Sequence, residues 1–264
     1  MTSTILVTGG TGTLGRLLAP MLQEAGCAVR VLSRGGHGPE KGIEYVTGDV
    51  STGEGLQAAV DGVETIVHCA GSAKGDEVKA RNLVEAAARA GAPHVVYISV
   101  VGVDRVPVVS AVDRAMFGYF AAKREAEQII AESGLPWTTL RATQFHDWIW
   151  LTLGLMAKLP VLMTWGGVRF QPVDTGEVAA RLAELALDKP AGLVPDIAGP
   201  RVYRMEELAR DYLKAAGKRR LILPVRSPGK AASAFRAGAN LAPEHAVGHR
   251  TWEDFLAEQE RPGQ

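Results

Sequence analysis

The chain has 264 residues, of which 47% are hydrophobic and 22% are charged. This ordinary globular composition excludes intrinsic disorder, a collagen-like repeat and a coiled coil as the main state. The 29 Lys and Arg residues balance the 29 Asp and Glu residues, so the basic excess of most nucleic-acid-binding domains is missing. We therefore expect a small-molecule partner and no nucleic acid.

The N-terminal residues and the two cysteines indicate the cellular location of the protein and whether it binds a metal. The opening residues, MTSTILVTGG, lack the basic and long apolar regions of a signal peptide, which predicts a cytoplasmic location. Cys27 and Cys69 are too few for a disulfide-stapled secreted domain. No group of His, Cys or Asp residues has metal-ligand spacing, so we expect no metal.

The first 142 residues alternate between short apolar runs typical of strands and segments with helical periodicity. Helical periodicity covers residues 14–25, 76–90 and 112–133. This alternation predicts an α/β fold, specifically a Rossmann-type doubly wound parallel sheet. The predicted strands are Thr4–Thr8, Ala28–Leu32, Glu44–Thr47, Thr65–Cys69, Val95–Ser99 and Trp137–Arg141.

The pattern changes after residue 145. Helices are predicted at residues 174–188 and 205–216, with short strands near 168–172, 193–198 and 220–224. We expect one domain over residues 1–264, with a cofactor-binding core of about residues 1–142 and a small C-terminal substrate lobe of about residues 143–264. The sequence leaves the oligomeric state open.

Two later segments have unusual composition. Residues 148–165 are almost all apolar, but Gly154, Lys158 and Pro160 interrupt them. A membrane-spanning helix needs about 20 apolar residues, so we expect no membrane insertion. The segment is expected to be buried or to line a pocket. The alternative is a surface that contacts lipid or an apolar substrate. Residues 201–236 hold ten Lys or Arg and three Asp or Glu, which either balances the acidic C-terminus or forms a basic rim for an anionic ligand.

A glycine-rich turn lies directly after the first predicted strand and begins the first predicted helix. Its glycines allow a tight turn, a close backbone approach to a pyrophosphate, and close packing of helix on strand. The helix N-terminus would add free N–H groups for the phosphates. We predict dinucleotide binding by Gly9, Thr11, Gly12, Thr13, Leu14 and Gly15.

The residues after the next strands refine the cofactor. Ser33 and Arg34 follow the second strand, where an acidic residue would bind the ribose 2′-hydroxyl of NAD and a basic residue accommodates the 2′-phosphate of NADP. Arg34 therefore predicts NADP(H), although it would also suit a solvated strand end. Further cofactor contacts are predicted at the ends of the third and fourth strands, by Asp49, Val50, Ala70 and Gly71.

Ligands of open α/β sheets bind at the carboxyl ends of the strands. Gln144 and His146 follow the sixth strand, so we expect Gln144 to contact the cofactor and His146 to contact the substrate, unless His146 and Asp147 only begin a helix. Trp148 is a second candidate for the substrate side. The other histidines in strands and loops, His37, His68 and His94, are predicted to be structural.

Several motifs resemble the atypical branch of the short-chain dehydrogenase/reductase superfamily, and more narrowly its NmrA-like NAD(P)H-binding members. The resemblance extends over nearly the whole chain, and it implies the fold and the cofactor more directly than the substrate. The motifs are TGGTGTLG, VHCAGSAKGD, YISVVGVDR, GLPWTTLRATQFHD, FQPVDTGEVAARL and TWEDFL.

The resemblance implies a catalytic set. Members of the superfamily use Tyr-x-x-x-Lys with a nearby Ser, and Tyr119 and Lys123 match this spacing. Tyr119 would exchange the proton, and Lys123 would bind the nicotinamide ribose. Ser99 is the candidate serine, but the later serines of active members are replaced by Val100 and Val101, so Ser99 either polarises the substrate oxygen or lies beside the cofactor.

Three functions remain open at this point, the last of which is an interaction or assembly protein with a vestigial cofactor site, disfavoured by the intact glycine turn. The first is an NADP(H)-dependent oxidoreductase that transfers a hydride to a small or medium apolar carbonyl, enone or quinone. The second is a non-catalytic NmrA-like sensor that only binds NADP(H).

Overall fold

The computed structural model describes residues 3–35, 42–72 and 74–259, so His37 lies outside the described residues. The chain forms two compact units from interleaved segments. The sheet unit consists of Met1–Ser99, Gly118–Arg141 and Gly176–Pro195. The second unit consists of Val100–Phe117, Ala142–Thr175 and Asp196–Gln264. One of the boundaries between the two units, after Arg141, falls near the predicted division between the cofactor-binding core and the substrate lobe. The prediction that residues 1–264 form one domain stays a prediction.

The sheet unit is built on a seven-stranded sheet. Thr8 pairs with Leu32 on one side and with His68 on the other, so the carboxyl ends of the first, second and fourth strands lie along one edge. The strand order β3-β2-β1-β4-β5-β6-β9 contains the Rossmann order, and the predicted parallel sheet is confirmed. The strands are β1 (Thr4–Thr8), β2 (Ala28–Ser33), β3 (Ile43–Thr47), β4 (Thr65–His68), β5 (His94–Val100), β6 (Trp137–Ala142) and β9 (Gly192–Leu193).

The helices of the sheet unit cover the sheet with apolar faces. All the helices predicted for this part of the chain are present, and a five-residue helix too short to show a period was missed. A core of fully buried residues, including Leu6, Ile66, Leu83 and Ile130, joins strands to helices. The helices are α1 (Gly15–Glu24), α2 (Leu56–Val60), α3 (Asp76–Arg89), α4 (Ala111–Ala131) and α6 (Thr175–Leu187), the last two beginning in the second unit.

The second unit combines short sheets with helices. β7 pairs with β11 in parallel, and β8 pairs with β10 antiparallel. Within the described part of the chain, none of the helices is long and apolar enough to span a membrane. The elements are α5 (His146–Met156), β7 (Val161–Trp165), β8 (Arg169–Phe170), β10 (Tyr203–Arg204), α7 (Met205–Ala215), β11 (Leu221–Val225), α8 (Lys230–Ala237) and α9 (Trp252–Gln259).

The apolar segment 148–165 forms the rest of α5, a short connection and β7. The prediction that it is buried or pocket-lining holds only for part of it. Ile149 and Leu153 are buried, whereas Leu151 is 61% and Met163 is 51% exposed. The segment has apolar residues on all sides of its helix and on both faces of its strand. The parts of it that no neighbouring element covers are therefore exposed apolar surface.

Candidate functional site

The glycine turn connects β1 to α1. Gly9 has φ +71°, a value that favours glycine, and a Cβ there would lie 2.8 Å from the backbone N of Ala70. A Cβ on Gly15 would lie 2.3 Å from the carbonyl oxygen of Gly9. Gly9 is therefore required by its φ and by the backbone after β4, and Gly15 by close backbone packing inside the turn.

Gly12 differs from these two glycines. A Cβ there would meet a single atom within contact distance, the Gly9 oxygen at 3.2 Å, and Gly12 is exposed together with Thr11 and Thr13. No side chain caps the N-terminus of α1, and its first turn carries no acidic residue. The exposed middle of the turn is thus open to an anionic group at a helix N-terminus, which is the arrangement that suits a pyrophosphate.

Arg34 lies beyond the end of β2, on the same sheet edge as the glycine turn. It is exposed, whereas Ser33 is buried and its hydroxyl accepts a hydrogen bond from the Gly35 N–H. An exposed guanidinium at this edge has the charge and freedom needed to pair with a phosphate.

Asp49 and Val50 follow β3 and shape a turn. The Asp49 carboxylate accepts a hydrogen bond from the Ser51 N–H at 2.7 Å, and Val50 is buried in the core. Asn82 donates from its side chain to the Val50 carbonyl. Both residues are thus held firmly at the carboxyl edge of the sheet, where cofactor contact stays a prediction.

Lys123 lies in the interior of the sheet unit. Its side chain is 4% exposed, and its ammonium donates to the Ile98 carbonyl at 3.0 Å and pairs with Asp76 Oδ2 at 3.2 Å. A Cβ on Gly71 would lie 3.4 Å from Lys123 Nζ. The structure therefore brings together two predicted cofactor residues, Gly71 and Lys123, and adds a carboxylate that the sequence did not single out.

Asp76 connects this lysine to a second one. It begins α3, and its Oδ1 accepts hydrogen bonds from Lys79 Nζ at 3.0 Å and from the Ser72 N–H at 2.9 Å. Lys79 also donates to the Ser72 hydroxyl. The signal that could have identified Asp76 and Lys79 is an opposite-charge pair three residues apart in the first turn of a helix whose inner face is apolar.

The charges of this cluster are stabilised in their ionised forms. Burial alone would raise the pKa of Asp76, but the ammonium of Lys123 and the hydrogen bond from Lys79 lower it below its usual value. Burial alone would lower the pKa of Lys123, but Tyr97, Tyr119 and Asp76 raise it. Lys123 is therefore a permanent cation near neutral pH and is unsuited to act as a general base.

Tyr119 lies one turn before Lys123 on α4, as the four-residue spacing implies. Its ring is partly exposed, and its centre is 5.9 Å from Lys123 Nζ. A second aromatic ring, Tyr97, has its centre 4.7 Å from the same ammonium. Tyr97 is buried and burial raises its pKa to about 12, which leaves the partly exposed Tyr119 as the tyrosine accessible to a ligand.

His68 and Ser99 complete the surroundings of the cluster. The His68 ring stacks on Tyr97 and pairs with the Thr8 hydroxyl at 2.7 Å, and burial lowers its pKa to about 3. Ser99 is 4% exposed, and its hydroxyl has no hydrogen-bond partner among the described residues. A buried hydroxyl without a partner costs about 1–3 kcal/mol, so a polar ligand group at Ser99 would be stabilising.

Gln144, His146 and Trp148 belong to the second unit. Gln144 Oε1 is buried and lacks a hydrogen-bond partner in the described part of the chain, as a ligand-binding amide would. Trp148 is 43% exposed and lines an apolar pocket with Trp165 and Phe170.

His146 is the first residue of α5, and its side chain does not lie at the surface. The residue is completely buried, with its ring packed near Trp252 and Phe255, and burial lowers its pKa to about 4. The neighbouring Asp147 accepts a hydrogen bond from the Thr175 hydroxyl. Both ring nitrogens are buried without a hydrogen-bond partner among the described residues, and substrate contact by His146 stays a prediction.

Over the described ranges, no cluster of three or more His, Cys, Asp or Glu residues is arranged to hold a metal ion. The fit to a dinucleotide rests instead on the open glycine turn, the exposed Arg34, the buried Lys123 beside Gly71, and the unpaired Ser99 hydroxyl. These residues lie on the sheet unit along or near the carboxyl ends of β1, β2, β4 and β5.

Comparison with known proteins identifies the family. The family model described as NAD(P)H-binding matches residues 9–155. A (4-alkanoyl-5-oxo-2,5-dihydrofuran-3-yl)methyl phosphate reductase of Streptomyces griseus is 29% identical over 81% of this chain and 74% of its own length. An NAD(P)H azoreductase of Xenophilus azovorans is 28% identical over the same shares of the two chains.

A solved structure shows the same fold. The NADPH-dependent quinone oxidoreductase of Escherichia coli, solved with NADPH, has a TM-score of 0.78 at 20% identity, covering 96% of this chain and 99% of its own. The resemblance drawn from the sequence motifs is confirmed. The chain belongs to the NAD(P)H-binding family, and the three similar proteins described above are named as reductases or oxidoreductases.

Proposed function

We propose that the protein is an NADP(H)-dependent oxidoreductase that reduces a small or medium apolar carbonyl, enone or quinone by hydride transfer. The observation that carries the proposal is the buried Lys123 ammonium, fixed by Asp76 beside Gly71. Gly9 packs against Ala70, so the open glycine turn and Lys123 are connected through two consecutive residues, Ala70 and Gly71. A dinucleotide along this path has its pyrophosphate at the turn and its nicotinamide ribose at Lys123.

The residues of the turn and of the β2 end set cofactor choice. The exposed backbone from Thr11 to Thr13 and the N-terminus of α1 bind the pyrophosphate, with no Cβ at Gly12 to obstruct it. Arg34 pairs with the 2′-phosphate and so favours NADPH over NADH. When bound, the cofactor supplies the hydride.

Lys123 is a binding residue and Asp76 positions it. The Lys123 ammonium donates a hydrogen bond to the Ile98 carbonyl and forms an ion pair with the Asp76 carboxylate. We propose that another of its three N–H groups, which lie near the Tyr97 ring, donates to a ribose hydroxyl. Asp76 in turn is held by Lys79 and the Ser72 N–H, so its direction is fixed before a ligand binds.

Tyr119 is the proposed proton donor to the substrate oxygen. The nearby cation on Lys123 stabilises the phenolate that forms when the proton leaves. The apolar substrate class is supported by the aromatic pocket at Trp148 and by the relatives, one of which is named as a quinone oxidoreductase and another as an azoreductase.

A sensor that only binds NADP(H) is the second candidate. It is favoured by Val100 and Val101, which are buried apolar residues at the positions where active members of the superfamily carry serines. The sensor and the reductase share the cofactor site and differ in the role of Tyr119.

The test is NADPH oxidation, followed by absorbance, with a panel of quinones, enones and ketones. We expect Tyr119→Phe to lower turnover by about 10²–10⁴-fold while the affinity for NADPH stays the same. Tyr45→Phe, at another partly exposed tyrosine of the sheet unit, is the matched control and should keep full turnover. If wild-type protein binds NADPH but oxidises it with no member of the panel, the reductase proposal is refuted in favour of the sensor.

A further inference from the structure

One face of the small β7–β11 sheet is apolar and exposed. Leu221 pairs with Val161, Leu223 with Met163 and Val225 with Trp165, and paired residues of parallel strands point to the same side. Leu221 is 67%, Met163 51%, Leu223 47% and Val225 42% exposed. We call these six residues the apolar face: Val161, Met163, Trp165, Leu221, Leu223 and Val225.

On the opposite side of the sheet the two strands differ, because Ile222 and Pro224 of β11 are partly exposed and exposed, whereas β7 is covered. Leu162 and Thr164, which alternate with the apolar face along β7, are completely buried. The neighbouring α5 exposes further large apolar side chains, Leu151 at 61% and Leu155 at 54%. Scattered exposed leucines need no explanation, but a contiguous apolar surface on a folded unit marks an interaction site.

The strands of the apolar face lie in basic stretches of the chain, whereas α7, which packs on both strands, carries Glu206, Glu207 and Asp211. Residues 148–173 and 212–243, which include both strands, contain nine Lys or Arg residues and no Asp or Glu. Arg219 precedes β11 and Arg226 follows it, and both are exposed, as are Lys158 and Lys230. An apolar surface with exposed cations at both ends of its strands is complementary to a surface that presents apolar chains beneath negative charges.

We propose that the apolar face docks on the surface of an anionic phospholipid bilayer. The apolar side chains enter the headgroup and acyl boundary, while Arg219, Arg226 and Lys158 contact the phosphates. A second copy of the chain is a poorer occupant, because pairing two such faces would bring the exposed Lys158, Arg219 and Arg226 of both copies to one interface. The proposal goes beyond the oxidoreductase function and does not depend on it.

The experiment is co-sedimentation of the full chain with vesicles of phosphatidylcholine, alone or mixed with phosphatidylglycerol. We expect binding to the mixed vesicles only, and release of the protein at high salt. Arg219→Gln/Arg226→Gln should lower the affinity for mixed vesicles by about tenfold or more, since each cation near an anionic surface raises the affinity by about fivefold. Arg81→Gln/Arg89→Gln, which removes two exposed arginines of α3, is the charge-matched control and should bind like wild type.

Leu223→Glu tests the apolar part of the interaction. It should abolish vesicle binding, whereas Leu187→Glu, at another leucine that is about half exposed (51%), should not. Circular dichroism and NADPH affinity report whether each variant is folded. Failure of folded wild type to bind mixed vesicles overturns the proposal, and so does equal binding to neutral vesicles. Self-association that Leu223→Glu removes, without vesicle binding, would assign the face to a second copy instead.

Discussion

Replacing Asp76 with Asn removes one negative charge from a cluster in which two buried ammonium groups share it. The side chains of Asp76, Lys79 and Lys123 are 2%, 10% and 4% exposed, so water screens the cluster weakly. Asn keeps the shape of Asp and still accepts hydrogen bonds from Ser72 and Lys79, but it leaves Lys123 without its counter-charge. Any loss of stability therefore reports the lost charge and the lost oxygen facing Lys123, and not a change in side-chain size.

The expected size of the effect follows from the burial. Breaking a buried ion pair by removing one partner costs about 3–5 kcal/mol, and the loss of a negative charge in the first turn of α3 adds about 0.3–1 kcal/mol. Glu125→Gln breaks the exposed pair with Arg81, whose side chains are 55% and 54% exposed, and should cost less than about 1 kcal/mol. The two variants differ mainly in the burial of the pair that is broken.

Urea denaturation at neutral pH measures both effects as free energies of unfolding. In Asp76→Asn/Lys123→Met the stranded cation is also gone, so the double variant should be more stable than the sum of the single effects predicts, by about 0.5–3 kcal/mol. A loss below about 1 kcal/mol in Asp76→Asn, or strict additivity in the double variant, would refute the buried pair.

The same cluster predicts a pH dependence. The folded pKa of Asp76 is lowered, so the carboxylate contributes stability above its unfolded pKa of about 3.9, and this contribution is lost as the pH falls through the folded pKa. The difference in stability between wild type and Asp76→Asn should therefore be full near neutral pH and shrink in acid. A difference that stays constant down to acid unfolding would contradict this reasoning.

Two further predictions concern the cofactor path. Gly12→Val should abolish NADPH binding in a folded protein, because its side chain occupies the pyrophosphate position, whereas Gly15→Val should unfold or strongly destabilise the chain, since a Cβ there lies 2.3 Å from a backbone oxygen. Circular dichroism and NADPH titration of each variant distinguish loss of the fold from loss of binding. Tight NADPH binding by folded Gly12→Val would place the phosphates elsewhere. Arg34→Ala should weaken NADPH about ten- to a hundredfold and leave NADH unchanged, as measured by titration of both cofactors; equal wild-type affinities would refute the role of Arg34.

Local signals in the sequence identified the fold and the glycine turn. The turn needs glycine for reasons that act within a few residues, such as the φ of Gly9 and the packing of Gly15 against it. The positions of Tyr119 and Lys123 on the helix after β5 were predicted from the family pattern and are borne out by the bounds of α4. Their roles remain predictions.

Contacts between distant parts of the chain were out of reach. Asp76 and Lys123 lie on different helices, and nothing local marks them as partners. The burial of His146 was not foreseen because it depends on Trp252 and Phe255, about a hundred residues later in the chain. The apolar face needed the pairing of β7 with β11, since an apolar strand is expected to be buried until its neighbours are known.

The most direct test of the central claim is the affinity of NADPH for Lys123→Ala, measured by calorimetric titration against wild type and the exposed-lysine control Lys189→Ala. Asp76 keeps Lys79 as a partner in this variant, so the fold should survive, as circular dichroism can verify. If Lys123 binds the nicotinamide ribose, NADPH should bind about ten- to a hundredfold more weakly to Lys123→Ala and normally to the control. NADPH binding to a folded Lys123→Ala with wild-type affinity would contradict the proposed site.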